Sequence, residues 1–134
     1  FNKGLAGAPA EEVAAARDTA TNPAAADAFA LAISASEAPP AFAGIPGHEP
    51  DIALAKRNAK NIGAAMDELR KLVPNHGSYV SESNYFEPDW RGAFWGANYP
   101  RLRQVKDKYD PDGLFFVHHG VGSEDWSPDG FTRL

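Results

Sequence analysis

The sequence of 134 residues contains no cysteine, and this absence removes several kinds of chemistry. Without a thiol, this chain can form no disulfide, no thiolate metal site, no cysteine nucleophile and no thioether link to a cofactor. The absence does not indicate a compartment, because a chain of this length can bury enough surface to fold without disulfides.

The chain also lacks a basic run and a long hydrophobic run. Its thirteen Lys and Arg residues are scattered and its formal net charge is −5, which predicts neither a nucleic-acid nor an anionic-membrane partner. No apolar stretch approaches the roughly 20 residues that cross a bilayer, and there is no charged-then-apolar leader. The first residue is Phe1 and not Met, as expected of a processed or cleaved product.

Several catalytic and cofactor motifs are missing as well. There is no Gly-x-Ser-x-Gly elbow and no serine with an evident histidine base, which disfavours a small self-contained hydrolase. No glycine-rich loop opens a helix after a strand, so the sequence offers no cradle for a pyrophosphate.

What is present divides the chain into two regions. Alanine is abundant from Ala6 to Ala97 and absent afterwards, whereas most aromatic residues lie beyond Ser78. The first region predicts helices over residues 11–20 and 22–36, the second of them capped by Asn22. The prolines and glycines of residues 39–50 exclude a helix there.

The longest predicted helix covers residues 51–73. Its apolar residues recur at spacings of three and four, which predicts one buried stripe. The stripe comprises Ile52, Ala55, Ala59, Ile62, Met66, Leu69 and Val73. The opposite face is charged, and Pro74 stops the helix.

The aromatic region predicts shorter elements. Alternation over residues 78–82 predicts a strand with Tyr79 and Ser81 on one face. A short helix is predicted over residues 87–96. Asn98 is predicted to cap the next helix, which the turn after Tyr109 ends, and residues 114–118 suit a second short strand.

Two segments in this region carry a family resemblance. They read S-Y-V-S-E-S-N-Y-F-E-P-D-W and F-W-G-A-N-Y-P-R-L-R-Q-V-K-D-K-Y-D-P-D-G-L-F-F, and V-G-S-E-D-W follows them. From Tyr79 onward the sequence resembles the berberine-like C-terminal region of the vanillyl alcohol oxidase superfamily, particularly its alcohol oxidase members.

The resemblance implies an α+β fold, namely the C-terminal fragment of a two-domain FAD-linked oxidase. Helices would pack on part of an antiparallel sheet, and a tail would return to the FAD domain. Residues 1–83 would supply the helical part and a strand of the substrate domain, and residues 84–134 the berberine-like segment that contacts the FAD domain. The FAD would be held mainly by an N-terminal portion absent from this chain. The resemblance favours a secreted or extracytoplasmic location, and nothing else in the sequence indicates a compartment.

The family reaction implied by the resemblance is oxidation of an alcohol or sugar hydroxyl. A base takes the hydroxyl proton, a hydride passes to the flavin, and O2 reoxidises the flavin to give H2O2. Glu82 stands where relatives often have a tyrosine base, so Glu82 and Tyr79 are the candidate catalytic residues. The alternatives are that Glu82 is a structural acceptor and that Tyr79 packs on its strand.

Asn98 and Tyr99 are the candidate cofactor-binding residues by resemblance, Asn98 through its amide and Tyr99 as a pocket wall. Asn98 could equally be only a helix cap. No metal site is expected, because His118 and His119 as strand neighbours would point to opposite faces. The charges around Lys106 and Asp110, and the Glu124 and Asp125 pair, are interpreted as solvated.

Most of the large aromatic residues are assigned to the core. They are Trp90, Phe94, Trp95, Phe115 and Phe116.

Two functions from different classes remain at this point. The first is the C-terminal portion of an FAD-dependent oxidase that needs its N-terminal FAD-binding partner, a small-molecule alcohol or carbohydrate substrate and O2. The second is a non-catalytic protein-binding module that retains the fold of an oxidase fragment and binds through its alanine-rich half.

Overall fold

A computed structural model describes residues 5–134. These residues form two compact units, one made of residues 31–74 and the other of residues 5–30 together with 75–134. Phe1, where the sequence suggested processing, lies outside the described residues.

Helices are the main elements of the described residues. The α-helices are α1 (Ala10–Arg17), α2 (Ala24–Asp27), α3 (Ile52–Leu72) and α4 (Tyr99–Tyr109). Single turns of 3-10 helix cover Val80–Glu82, Gly96–Asn98 and Ser123–Asp125, and a π-helix covers Arg91–Trp95. No helix within residues 5–134 is long and apolar enough to cross a membrane.

The predicted antiparallel sheet is not confirmed. Within residues 5–134 the only strand-like pairing is an isolated antiparallel bridge between Trp126 and Arg133. Of residues 78–82, only Val80–Glu82 form a helical turn, and residues 114–118 adopt irregular backbone. The alternation at 78–82 suits a strand, but a strand is stabilised by pairing with a neighbour, and these residues offer none.

The helix predicted over residues 22–36 is also wrong in extent. It exists only as α2, because Ala28 turns to extended backbone at ψ 131° and residues 28–41 contain no helix. Phe29, Leu31 and Ile33, the large apolar residues of the predicted helix, are exposed. An apolar stripe stabilises a helix only when something packs on it.

The unit of residues 31–74 consists of α3 and an irregular segment before it. Asp51 caps the helix, with its carboxylate accepting a hydrogen bond from the backbone N–H of Leu54 at 2.8 Å. The helix boundaries therefore agree with the sequence prediction to within one residue. The predicted burial of its stripe does not hold within this unit, since α3 contains no buried residue and Ile52 is 58% exposed.

The other unit is centred on the π-helix. Ala93 and Phe94 are the buried hydrophobic residues among residues 5–134, and Asn22 is buried beside them. The amide of Asn22 donates to the carbonyl oxygens of Gly92 at 3.1 Å and Ala93 at 2.7 Å. Its Oδ1 accepts from the N–H of Ala24 at 3.0 Å. Asn22 thus ties the segment before α2 to the π-helix, whereas the cap position of α2 is Pro23 and not Asn22 as predicted.

Candidate functional site

The start of α4 is joined to the loop at residues 120–125 through Tyr99. The phenol oxygen lies 2.6 Å from both carboxylate oxygens of Glu124 and accepts a hydrogen bond from the N–H of Gly122 at 3.2 Å. Gly122 has φ +83°, a conformation that glycine adopts without strain. The loop therefore approaches the helix closely enough to fix the phenol.

Glu124 is also held by two arginines. Nη1 of Arg103 lies 3.3 Å and Nε of Arg91 lies 3.5 Å from its Oε1 atom. Arg103 donates from Nη1 to Asp125 at 3.1 Å as well, and from Nε to Asp107 at 2.8 Å. The pairs with Glu124 and Asp125 are half-buried, so the prediction that these two acids form a solvated loop pair is wrong.

The far end of α4 anchors the following segment. Nζ of Lys106 binds the Asp110 carboxylate and donates to the carbonyl of Phe115 at 2.7 Å. The same carboxylate accepts from the N–H groups of Leu114 at 2.8 Å and Phe115 at 3.1 Å. With only 8% of the Asp110 side chain exposed, this is a structural anchor and not a solvated helix end.

Asn98 occupies the cap position of α4 as predicted, but its side chain does not cap the helix. Its amide nitrogen donates to the carbonyls of Thr19 at 3.0 Å and Thr21 at 2.8 Å. Both amide hydrogens are thereby used, and the side chain keeps only acceptor capacity at Oδ1 for a further partner.

Tyr79 and Glu82 lie together on the turn that precedes the π-helix. The N–H of Glu82 donates to the carbonyl of Tyr79 at 3.1 Å. The Glu82 side chain is exposed and Tyr79 is 51% exposed. The turn thus presents a carboxylate and a phenol outward from its own unit.

Two aromatic rings and two imidazoles of the same unit form a stack. Tyr85 stacks on His118 with ring centroids 4.0 Å apart, His118 lies 3.8 Å from His119, and His119 stacks on Trp90 at 5.4 Å. The expectation that the two histidines point to opposite faces is wrong. His119 has φ +58°, and its left-handed backbone breaks the alternation that a strand would impose.

The remaining aromatic residues are only partly a core. Phe94 is 3% exposed, whereas Phe115 is 78% exposed. Trp90, Trp95 and Phe116 are half-buried. The assignment of these rings to the core is therefore confirmed for Phe94 and wrong for Phe115.

The protonation of two site groups follows from their surroundings. Burial raises the pKa of the Tyr99 phenol, and the hydrogen bond to Glu124 raises it further. Burial lowers the pKa of His119, and neighbouring His118 adds to this effect. Tyr99 and His119 are accordingly neutral at pH 7. Across residues 5–134 no group of three His, Asp or Glu side chains is arranged to hold a metal ion.

Sequence reasoning missed the partners of Tyr99. The sequence pattern does not single out Arg103, and it predicts a solvated Glu124. A partial signal exists, because Tyr99 and Arg103 are four residues apart and share one face of α4. The contact of that face with Glu124 depends on the path of the loop, which local pattern does not encode.

Comparison with known proteins finds a matching family and similar sequences. Residues 78–122 match the family described as berberine and berberine like. A flavin-dependent oxygenase of Aspergillus ustus, ucdF, is 56% identical over 70 residues, which are 52% of this chain and 13% of the relative. The VAO-type flavoprotein oxidase VAO615 of Thermothelomyces thermophilus is 48% identical over 62 residues, covering 46% of this chain and 11% of the relative.

One solved structure is similar in fold. The VAO-type flavoprotein MtVAO713 from Myceliophthora thermophila C1 superposes with a TM-score of 0.51 at 37% identity, over 63% of this chain and 15% of that protein. The chain thus spans between 11% and 15% of the length of these three proteins. All four predicted site residues lie within the matched segment of residues 78–122. Over that segment, this chain is similar to the berberine-like C-terminal part of VAO-type, FAD-linked oxidoreductases.

Proposed function

We propose that this chain is the C-terminal, substrate-domain portion of an FAD-dependent oxidase. The reaction converts an alcohol or sugar hydroxyl to a carbonyl, with hydride transfer to the flavin, and O2 is reduced to H2O2. The observation that carries the proposal is the family match over residues 78–122, which contains Tyr79, Glu82, Asn98 and Tyr99.

The described residues suit one end of FAD and not the other. The pyrophosphate of a dinucleotide is usually held by a glycine-rich turn at a helix N-terminus, and α1, α3 and α4 begin without such a turn. The chain instead offers the Oδ1 acceptor of Asn98 and the half-buried ring of Tyr99, which suit a heteroaromatic ring with N–H donors. Asn98 and Tyr99 would therefore contact the flavin ring, while the N-terminal portion binds the rest of FAD.

In this proposal Glu82 takes the hydroxyl proton of the substrate. A carboxylate in water titrates near about 4.3 and is a weak base at neutral pH, so this role requires that the rest of the enzyme cover Glu82. The outward position of the turn allows such covering. Tyr79, three residues earlier on the same turn, would orient the substrate hydroxyl through its phenol.

The alternative of a non-catalytic protein-binding module makes a different experimental prediction. The whole protein should be purified under native conditions, and its polypeptide mass and visible absorption recorded. A longer polypeptide, or a second one, with the bands of oxidised flavin supports the oxidase. A colourless, monodisperse species that yields no peroxide from a panel of alcohols and sugars contradicts it.

Glu82→Gln tests the base within the flavin-loaded enzyme. The substitution preserves size but removes proton-accepting capacity, and loss of a general base typically slows a reaction by about 10²- to 10⁴-fold. The measurement is the anaerobic rate of flavin reduction by substrate. Glu68→Gln, an exposed acid of α3 paired with Lys71, serves as the control with the same change of charge. An unchanged rate in Glu82→Gln would remove Glu82 from the mechanism.

A further inference from the structure

The hydroxyl of Tyr99 has a hydrogen-bond partner both as a donor and as an acceptor. Its one hydrogen is donated to the Glu124 carboxylate, and the N–H of Gly122 donates to its oxygen. Both partners come from the loop at residues 120–125, 23 to 25 residues further along the chain. The orientation of the ring is therefore set by that loop as much as by α4.

Glu124 is itself restrained. Arg103, one turn after Tyr99 on α4, contacts the carboxylate, and Arg91 contacts it from the π-helix. The guanidinium of Arg91 also lies over the rings of Trp90, at 4.8 Å, and Tyr99, at 5.7 Å. With cations on two elements and 23% of its side chain exposed, Glu124 is held in one place.

We propose that Glu124 is a positioning residue of the oxidase. It fixes the Tyr99 phenol, and through it the start of α4, in the orientation that faces the flavin ring. The inference rests on the proposed function, because that function places Asn98 and Tyr99 beside the flavin. It goes further by assigning the Gly122–Glu124 loop to the site.

The groups around Tyr99 and Glu124 also determine whether a proton can pass between the two side chains. The carboxylate faces Arg91 and Arg103, and the phenol is partly desolvated, so proton transfer from Tyr99 to Glu124 would leave a phenolate beside a neutral acid. The pKa of Tyr99 is raised, which opposes this transfer at neutral pH. Tyr99 consequently acts as a neutral hydrogen-bond donor, and Glu124 acts only by holding it.

The experiment uses the flavin-loaded enzyme with four variants. Glu124→Ala removes the acceptor, Glu124→Gln retains an acceptor without the charge, and Tyr99→Phe removes the donor. The fourth variant combines Glu124→Ala with Tyr99→Phe, and Glu68→Gln again serves as the control. The visible spectrum of bound flavin, the rate of its reduction and the phenol pKa by NMR with ring-labelled tyrosine are measured.

We expect Glu124→Ala and Tyr99→Phe each to slow flavin reduction by about tenfold, as when a supporting partner of a site residue is lost. The double variant should be no slower than either, and Glu124→Gln should recover part of the rate. In Glu124→Gln the Tyr99 pKa should fall, because a negative acceptor that disfavours phenolate has been removed.

The outcomes separate the two proposals. If Tyr99→Phe alters the flavin spectrum and rate while Glu124→Ala does not, or if their effects multiply, the positioning role is wrong and the proposed function stands. If the Tyr99 pKa responds to Glu124→Gln but no variant alters the flavin, the placement of Tyr99 at the cofactor is wrong, and the positioning role fails with it. If Glu124→Ala does not fold, the rate of flavin reduction and the Tyr99 pKa are measured in Glu124→Gln instead. The proposal is overturned if both quantities equal those of the wild-type enzyme.

Discussion

The buried side-chain amide of Asn22 joins segments that are far apart in the sequence. Its side chain accepts one hydrogen bond and donates two, and the donated bonds reach residues 70 and 71 positions away. Two glycines make room for it, since a Cβ at Gly96 would lie 2.7 Å from Oδ1 and one at Gly77 would lie 3.0 Å from Nδ2. Buried polar groups of this kind are costly to leave unpaired.

Asn22→Asp is expected to destabilise the protein by about 3 kcal/mol. The substitution preserves shape and the acceptor for Ala24, but it places a carboxylate oxygen against the carbonyls of Gly92 and Ala93. Urea denaturation of the purified protein measures the effect. Asn61→Asp on the exposed surface of α3 is the control and should change stability by less than about 0.5 kcal/mol. Equal losses in the two variants would contradict this role for Asn22.

Asp110 gives a pH-dependent prediction. The hydrogen bond from Lys106 lowers the pKa of this carboxyl below its ordinary value of 3.8, and the N–H groups of Phe115 and Leu114 contribute. Because the folded-state pKa is the lower one, the stabilisation is complete above pH 3.8 and is lost as the pH falls through the folded-state pKa.

Asp110→Asn should therefore reduce stability at neutral pH and weaken its dependence on pH below about 4. Amide hydrogen exchange of residues 114 and 115 measures the local loss of stability, because the N–H groups of these residues donate to Asp110. Asp112→Asn, an exposed neighbour, is the matched control. If both variants retain the wild-type acid dependence, Asp110 is not the anchor of this segment.

At the scale of elements, α3 and α4 were predictable from sequence because their signals are local. A cap residue, apolar spacing and a stop signal locate both helices to within one residue. The strands at 78–82 and 114–118 were not, because a strand requires a partner that local alternation does not identify. For the same reason the candidate site was only partly predictable. The family resemblance indicates Asn98 and Tyr99. Glu124 reaches Tyr99 only because of the path of the loop at residues 120–125, which the sequence pattern does not show.

The cap of α3 provides a test at this scale. Asp51→Ala should cost about 1 kcal/mol of helix stability, because the N–H of Leu54 loses its acceptor. Asp51→Ser, which retains a capping oxygen, should recover most of it. Amide exchange in the first turn of α3 measures both. Equal protection in the two variants would show that the cap contributes nothing.

At the scale of the whole molecule, the described chain has little core. Ala93 and Phe94 are its buried hydrophobic residues, while Phe86, Leu114 and Phe131 are 73% to 89% exposed. A soluble domain of this length ordinarily buries about two thirds of its unfolded surface. We therefore propose that other parts of a longer protein cover these residues, which agrees with the small share of the relatives that the chain spans.

The 134-residue chain expressed alone should unfold over a broad range of urea and bind a hydrophobic dye. The same residues within the complete flavoenzyme should unfold cooperatively and bind no dye. Circular dichroism and dye fluorescence at matched concentrations make the comparison. A sharp two-state transition of the isolated chain would favour an independent module.

The grouping of residues 5–30 with 75–134 makes residues 31–74 an insertion in topological terms. Closing a flexible loop costs entropy that grows only with the logarithm of its length, about 0.6 kcal/mol for each doubling. Evolution can therefore lengthen, shorten or replace this segment with little effect on the hydrogen bonds of Asn22 and Asn98. Homologues should differ most in length here, and a protease cut within residues 31–50 should leave the two flanking pieces associated.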